Sequence, residues 1–600
     1  MPTRSLFRLA AALSLAVLGQ AQVTVFRGPS GGVGNVWTRP AGQAATRPPQ
    51  LQGIQLLPVD VASRAAFTQF QPGETRLETD VPGASRLVLP QGQGSLYRYR
   101  RSHAGGTDFG YFVVRASGVA QPLATFPGAG PSGNGDPIPN PVAVARDGGA
   151  LLVATTLAAG GDLFEIELAT GSVRALSAGL PPLDVLPRGV ALLSDWGAAV
   201  TTRGVFRFVR GGGQALIVPL HPRARPGALG GNPAAPVGVT LTHFGNGLVG
   251  SADGSTMAVI AGTSPSLMHV FTFRLGGPAI CVNDVPAAIT DPGFGTEAGP
   301  TLALSPEGGR AAWKTIDPVS GEIFSRLVPS QPTPPEVQLT ADAHFTDTLN
   351  DTGVIAFFDR DSVMMIVGEP NGAGGIEKGD LYRVTFPLGG GQPAFSNLSN
   401  TSGDAVAPFD FKGELETSDG IFQIPGQTGS VYFVDGSSGQ GEVYRLNGAT
   451  GQVALVRSGV AQLDFIERAG SSFVLGILHD APAQRELLRI PFDHAQPTST
   501  LGLFTSTTLF PTHAGNPAGI FAGTFTTGGA RRIFQIDLGS GTGHTLPDVL
   551  PFGPVLGFDG NGAVLTSFSL AGASFAFSWV PGGGELYPAM PLGSIVLPGN

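Results

Sequence analysis

An all-β fold of repeated four-stranded antiparallel units is what this chain predicts, on three observations. The first is a recurring pair of short strands joined by an acidic-glycine turn, as in Val142 to Thr156, VAVARDGGALLVATT. The second is a further strand with an aromatic residue or leucine at its centre. It returns at Phe164, Phe206, Phe271, Phe324, Tyr382, Tyr444, Leu488, Phe534 and Phe577, at spacings of 42 to 65 residues. The third is composition: 89 Gly and 51 Pro in 600 residues, beside 42% hydrophobic and 13% charged residues. Gly and Pro at that level approach a disordered composition, but a disordered chain would not be this apolar. Many short buried strands joined by tight turns satisfy both facts. Four strands per unit at a period near 40–50 residues is the pattern of a β-propeller, and about eight to ten units in one ring are expected.

Taken in order, residues 1–21 have the features of a secretory signal. Arg4 and Arg8 precede the apolar run Leu9 to Leu18, and Gly19 and Ala21 are the small residues of a cleavage site. Cleavage after Ala21 and export to a periplasmic, secreted or cell-surface location are expected. The mature chain, residues 22–600, is then read as one propeller, irregular over 22–140 and clearly repetitive over 141–590. Val23 to Phe26, Arg86 to Leu89, Leu96 to Arg100 and Tyr111 to Val114 are strand candidates in the irregular part, and Ala84 to Thr125 forms a tenth unit.

From Pro141 onward the strand–turn–strand pair recurs at Gly189, Leu248, Thr301, Thr348 and Leu556. Asp and Asn bond their own backbone in such turns while Gly accepts positive φ. The aromatic strand reads GDLFEIEL at Gly161, GDLYRVTF at Gly379 and GEVYRL at Gly441, with Phe164, Ile166 and Leu168 on one face. Turns such as Ala169-Thr170-Gly171 and Gly539-Ser540-Gly541 lead to a short fourth strand. Pro219 to Pro236, Asn283 to Pro300, Val328 to Glu336 and Pro387 to Ser402 read as inserted loops. Only Ala483 to Ile490 shows any helical periodicity.

Ser305-Pro306-Glu307-Gly308-Gly309-Arg310, followed by Ala312-Trp313 and Ile323-Phe324, resembles the WD40-like repeat of TolB-type β-propellers. Ser251-Ala252-Asp253-Gly254 and Arg146-Asp147-Gly148 are weaker copies. The resemblance spans Pro141 to Pro581 and concerns architecture; most units lack Ser-Pro, and the Trp-Asp pair of true WD40 repeats is absent. It implies a binding platform whose ligand differs from one protein to the next.

Composition excludes some functions. The formal charge of −9 becomes −11 when Arg4 and Arg8 are removed, and Lys314, Lys378 and Lys412 are the only lysines. Nucleic-acid binding needs a clustered basic surface, so it is not expected. No apolar run after the leader approaches the roughly 20 residues of a membrane span. Cys281, the single cysteine, lies between Ile280 and Val282 and reads as a small core residue.

No motif nominates a catalytic, cofactor-binding or metal-ligating residue. Gly28-Pro29-Ser30-Gly31-Gly32 matches the G-x-S-x-G nucleophile elbow without the helix that motif requires. Gly128 to Gly133 matches G-x-G-x-x-G but opens no helix. Asp351-Thr352-Gly353 and Asp559-Gly560-Asn561-Gly562 do not fit a twelve-residue calcium loop. His243, His344 and His513 each fall near the first strand of a unit and would meet if the innermost strands converge on a channel. Trp37 and Trp196 lie near turns, and Trp196 could be an exposed contact residue. The resulting expectation is an exported, non-enzymatic propeller binding an unknown protein, glycan or surface ligand, with no cofactor indicated. A propeller-type lyase or glycosidase acting at the channel mouth, or a structural extracellular protein, are the alternatives. Acids and histidines meeting on innermost strands would favour the enzyme.

Overall fold

The computed structural model describes most residues from Val23 to Leu597; residues 1–22, 58–85, 128–139, 177–188, 222–240, 284–301, 340–352 and 398–420, with shorter stretches between strands, are outside the description. The signal segment, the inserted loops in large part, His344 and almost all of the two glycine motifs therefore lie outside the described residues. Forty-three strands and one short 3₁₀ turn, Pro49–Leu51, make up the described secondary structure. Ala483 to Ile490 is not helical: Gln484–Pro491 is a strand, and the apparent helical spacing comes from a run buried on both faces.

The sheets form a ring of antiparallel blades, as predicted. Seven are separate four-stranded blades, spanning 140–175, 189–217, 243–281, 302–338, 353–397, 509–545 and 552–592. That is slightly fewer than the eight to ten expected, for a local reason. Two counted units are fused into one seven-stranded sheet by the 18-residue strand Gln452–Ala469. Many connections elsewhere carry proline, such as Pro181, Pro182 and Pro187, though 339–352 does not; 452–469 has none, so every residue in it can donate to a ladder. The tenth counted unit is a five-stranded sheet over 55–127.

Successive sheets touch through their first strands, which therefore form the inner side of the ring. The cores lie between blades. Leu152, Leu163 and Phe206 share one such layer, and Trp196, Met257, Phe271 and Cys281 share the next. Burying each large apolar side chain contributes about 1.5–3 kcal/mol.

The acidic-glycine turns form as their residue types require. Gly148, Gly254 and Gly308 have φ of 66°, 73° and 66°, and Gly519, in a turn of the same shape that lacks an acidic residue, has 84°; each donates its N–H to the carbonyl three residues back. Ser251 Oγ and Ser305 Oγ accept the N–H groups of Thr256 and Arg310, both at 2.9 Å. These turns also tie the blades together. Asp253 N donates to Pro306 O at 2.8 Å, and Trp196 Nε1 donates to Gly254 O at 2.7 Å. Trp196 is thus buried at 3% exposure, not an exposed contact residue.

Arginine supplies a second tie. Arg174 reaches Val209 O (2.8 Å) and Gly213 O (2.9 Å) of the following blade. Arg207 reaches Arg274 O (2.8 Å) and Gly277 O (2.6 Å), and Arg445 reaches Pro491 O (2.9 Å) and Gln496 O (3.0 Å). In each case the guanidinium caps the turn after the neighbour's third strand. A planar fork meets two carbonyls at once, which a lysine ammonium does less well, and the scarcity of lysine fits that use.

The ring is closed by a three-stranded sheet. Val23–Arg27 pairs with Asn35–Arg39 on one side and with Ser594–Leu597 on the other. Phe26 and Val36 pack on Tyr97, Tyr99 and Phe112 of the 55–127 sheet, while Val23–Arg27 also touches Glu585–Leu592 of the final blade.

Candidate functional site

Among the described residues, one acid and one histidine meet on innermost strands with both side chains partly open to solvent. Glu467 lies near the end of Gln452–Ala469, and His513 lies in Leu509–Gly515, the first strand of the next blade. Their side chains are 31% and 26% exposed, and His513 Nε2 stands 3.8 Å from Glu467 Oε2. Gly515 N donates to Glu467 Oε1 at 3.3 Å, which fixes the carboxylate against the neighbouring strand.

Below the imidazole lies Phe465. The two rings stack with centroids 4.0 Å apart and planes 17° from parallel, and Phe465 stacks in turn on Phe521. Gly476 makes room for this: a Cβ there would stand 2.4 Å from the Phe465 ring. Burial pushes the His513 pKa down to about 4, so the ring is neutral at ordinary pH although a carboxylate is near. Its Nδ1 is buried with no hydrogen-bond partner among the described residues. The gap between Nε2 and Oε2 is too long for a direct hydrogen bond and suits a bridging water.

His243 does not join this pair. It lies at the start of the inner strand His243–Gly250, and its Nδ1 is 3.1 Å from Thr242 Oγ1. Among the described residues no three His, Cys, Asp or Glu side chains gather to hold a metal ion.

Two further polar clusters are more deeply set. Glu486, 3% exposed, takes Arg457 on both oxygens, with Arg457 Nη2 at 2.9 Å from Oε1. His479 Nε2 is 2.8 Å from its Oε2, and Thr500 Oγ1 donates to Oε1 at 2.5 Å. Burial raises the Glu486 pKa, but the Arg457, Thr500 and His479 hydrogen bonds together with the Arg457 charge outweigh it and leave it lowered. The cluster fastens the two fused units to each other. Cys281, as expected, is a core residue at 3% exposure. Sequence spacing gave no sign of its partner: Sγ lies 3.5 Å from His269 Nδ1, and Asn283 Oδ1 accepts from Val270 N at 2.9 Å. Thiol, imidazole and amide are the groups of nucleophilic catalysis. Here they are enclosed with Trp196 and Phe273 between two blades, which admits no substrate.

No family model and no curated protein matches this chain. Solved structures do resemble it. Dipeptidyl peptidase 4 of Porphyromonas gingivalis aligns over 85% of this chain and 67% of its own, with 13% identity and a TM-score of 0.37. A puromycin hydrolase aligns over 80% and 60%, with 16% identity and a TM-score of 0.29. A prolyl endopeptidase aligns over 72% and 53%, with 11% identity and a TM-score of 0.28. This chain spans about two-thirds or less of their lengths, and the likeness is one of fold. The expectation of a non-enzymatic binding platform is corrected at this point, because the similar structures are named for peptidases and a hydrolase. The architecture is a β-propeller, and the comparisons do not single out the TolB type.

Proposed function

We propose that this propeller belongs to a hydrolytic enzyme, with acid–base chemistry at the inner rim where Glu467 and His513 face each other. The observation that carries the reading is their 3.8 Å separation on neighbouring innermost strands, both partly exposed. A water bridging the pair donates one hydrogen to the Glu467 carboxylate and the other to neutral His513 Nε2. Its oxygen is then a better nucleophile toward a carbonyl carbon. As the C–O bond forms, the water proton passes to the pair. As the C–N or C–O bond of the substrate breaks, the same proton goes to the leaving group.

Phe465 holds the imidazole plane, and its burial keeps the ring neutral and able to accept a proton. The names of the similar structures make peptides the first substrates to assay. The test is hydrolysis of a fluorogenic peptide panel by the full chain, compared with Glu467→Gln and His513→Asn. Turnover by the parent that falls about 10²-fold or more in each variant, with unchanged melting, is expected for a general acid–base pair. Equal turnover in all three proteins would remove the reading. Activity should rise as pH climbs through about 4, where His513 loses its proton.

A further inference from the structure

The outermost strand of a blade turns one row of backbone groups toward solvent, a template for any strand that can lie beside it. Most described blades blunt this edge in one of two ways. Six outermost strands are only two to four residues long, from Leu216–Ile217 to Ala394–Asn397. Ala120–Pro127 and Glu585–Leu592 have eight residues, but each carries two prolines, which cannot donate to a ladder. Ser499–Thr505, the edge of the seven-stranded sheet, has neither protection. Its seven residues, STLGLFT, include no proline and no charge.

Beyond its ladder with Gln484–Pro491, the backbone of this strand makes one hydrogen bond with a described residue, from Thr508 N to Thr505 O at 2.9 Å. Leu503 is 59% exposed. The ionised groups beside the edge are already matched. Glu486, across the ladder from Leu503, is held by Arg457, and Arg485, across from Phe504, is held by Asp464. The edge therefore has no charge with which to select a charged partner. A bulge at Leu501 leaves Gly502 to Thr505 as the regular part. There Leu503 and Thr505 share one face, and Gly502 and Phe504 the other.

We propose that this edge pairs with the same edge of a second copy of the chain, antiparallel about a two-fold axis at Leu503. An axis there sets Leu503 against Leu503 and Phe504 of each copy against Gly502 of the other, so that like faces meet. The exposed leucine is covered by its own counterpart. The two Phe504 rings lie diagonally across the new ladder, over a pair of glycines that leave room for them: even within one copy, a Cβ at Gly502 would stand 2.9 Å from the ring. No like charges are opposed on the paired strands, which matters for a chain whose net charge is −9. Four regular residues make a short interface, so the dimer is weak and reversible. The proposal is independent of the reading of Glu467 and His513.

Sedimentation velocity of the full chain over a concentration series tests it. The parent should pass reversibly from monomer to dimer by about 100 μM. Leu503→Lys, which sets like charges face to face at the axis, should stay monomeric with an unchanged melt. Leu503→Cys reads the register directly, because residues opposed across an antiparallel pair bring their Cβ atoms within reach of a disulfide. Mild oxidation should link this variant into a covalent dimer. Leu216→Cys, at a residue 62% exposed on another outermost strand, should not be linked, and the native Cys281 is buried. If Leu503→Lys does not fold, the two cysteine variants decide. A parent that stays monomeric overturns the proposal, as does a dimer that survives Leu503→Lys or equal linking of both cysteine variants. A monomeric parent that binds a peptide copy of residues 499–505 would assign the edge to a foreign strand and likewise overturn the second copy.

Discussion

Burial at His513 links stability to pH. The folded pKa is about 4 against an ordinary value of 6.5. Above pH 6.5 the ring is neutral in both states and nothing is lost. Between 6.5 and 4 the unfolded chain takes up a proton that the folded chain refuses, so stability falls through this window, by up to about 3 kcal/mol. His494, also lowered to about 4 by burial and then by the Arg445 charge, acts in the same direction. Denaturant melts at pH 7.0 and 4.5 should therefore show a large loss for the parent and a smaller one for His513→Phe; equal losses would contradict this account. His513 was legible in the sequence as a first-strand histidine. Glu467 was not, because its contact with His513 crosses a blade boundary. The Cys281–His269 contact was hidden for a similar reason: burial and partner choice follow from packing between sheets, which alternation within one strand does not encode.

At the level of turns and strands, local chemistry carried most of the information. The Ser-x-acid-Gly turns were legible because Gly at positive φ and a side-chain acceptor suffice to build them. Asn516 to Gly519 forms the same turn without an acidic-glycine pair and was not recognised. Gly308 makes the requirement sharp. Its φ is 66°, and a Cβ there would stand 2.3 Å from Thr256 Oγ1 of the preceding blade. Gly308→Ala should cost about 1–3 kcal/mol through backbone strain and displacement of that neighbour. Chemical denaturation measures it, and a variant as stable as the parent would show that the two blades can separate there freely. The arginine ties had a signal too: Arg207, Arg383, Arg445 and Arg489 each follow the central residue of a third strand. Read within one strand they look like outward-facing charges, and only the next blade reveals the carbonyls that Arg207 and Arg445 cap.

For the whole molecule, the repeat period announced a ring but not how the ring is closed. Ser594–Leu597 lies beyond the last repeat recognised, and its partner Val23–Arg27 lies ahead of the first. Deleting residues 594–600 removes one edge of the three-stranded sheet and exposes Val23–Arg27 to solvent along that edge. The shortened chain should lose cooperativity, with limited proteolysis cutting first within 23–57, on the side where Phe26 and Leu51 lose support. An unchanged melt and cleavage pattern would show that packing between the terminal blades closes the ring without the strand.

This closure also has a consequence in time. Blades built from neighbouring segments have short loops to close and can form early, one after another, at small entropic cost. The pairing of Val23–Arg27 with Ser594–Leu597 has nearly the whole chain as its loop. It belongs to the final step, so the first strand must wait, unpaired, while every blade is made. A refolding experiment that follows Trp37, in the strand beside Val23–Arg27, should find its signal arriving after the bulk of the β-sheet signal. The delay should vanish in a circular permutant that joins the two strands into one hairpin.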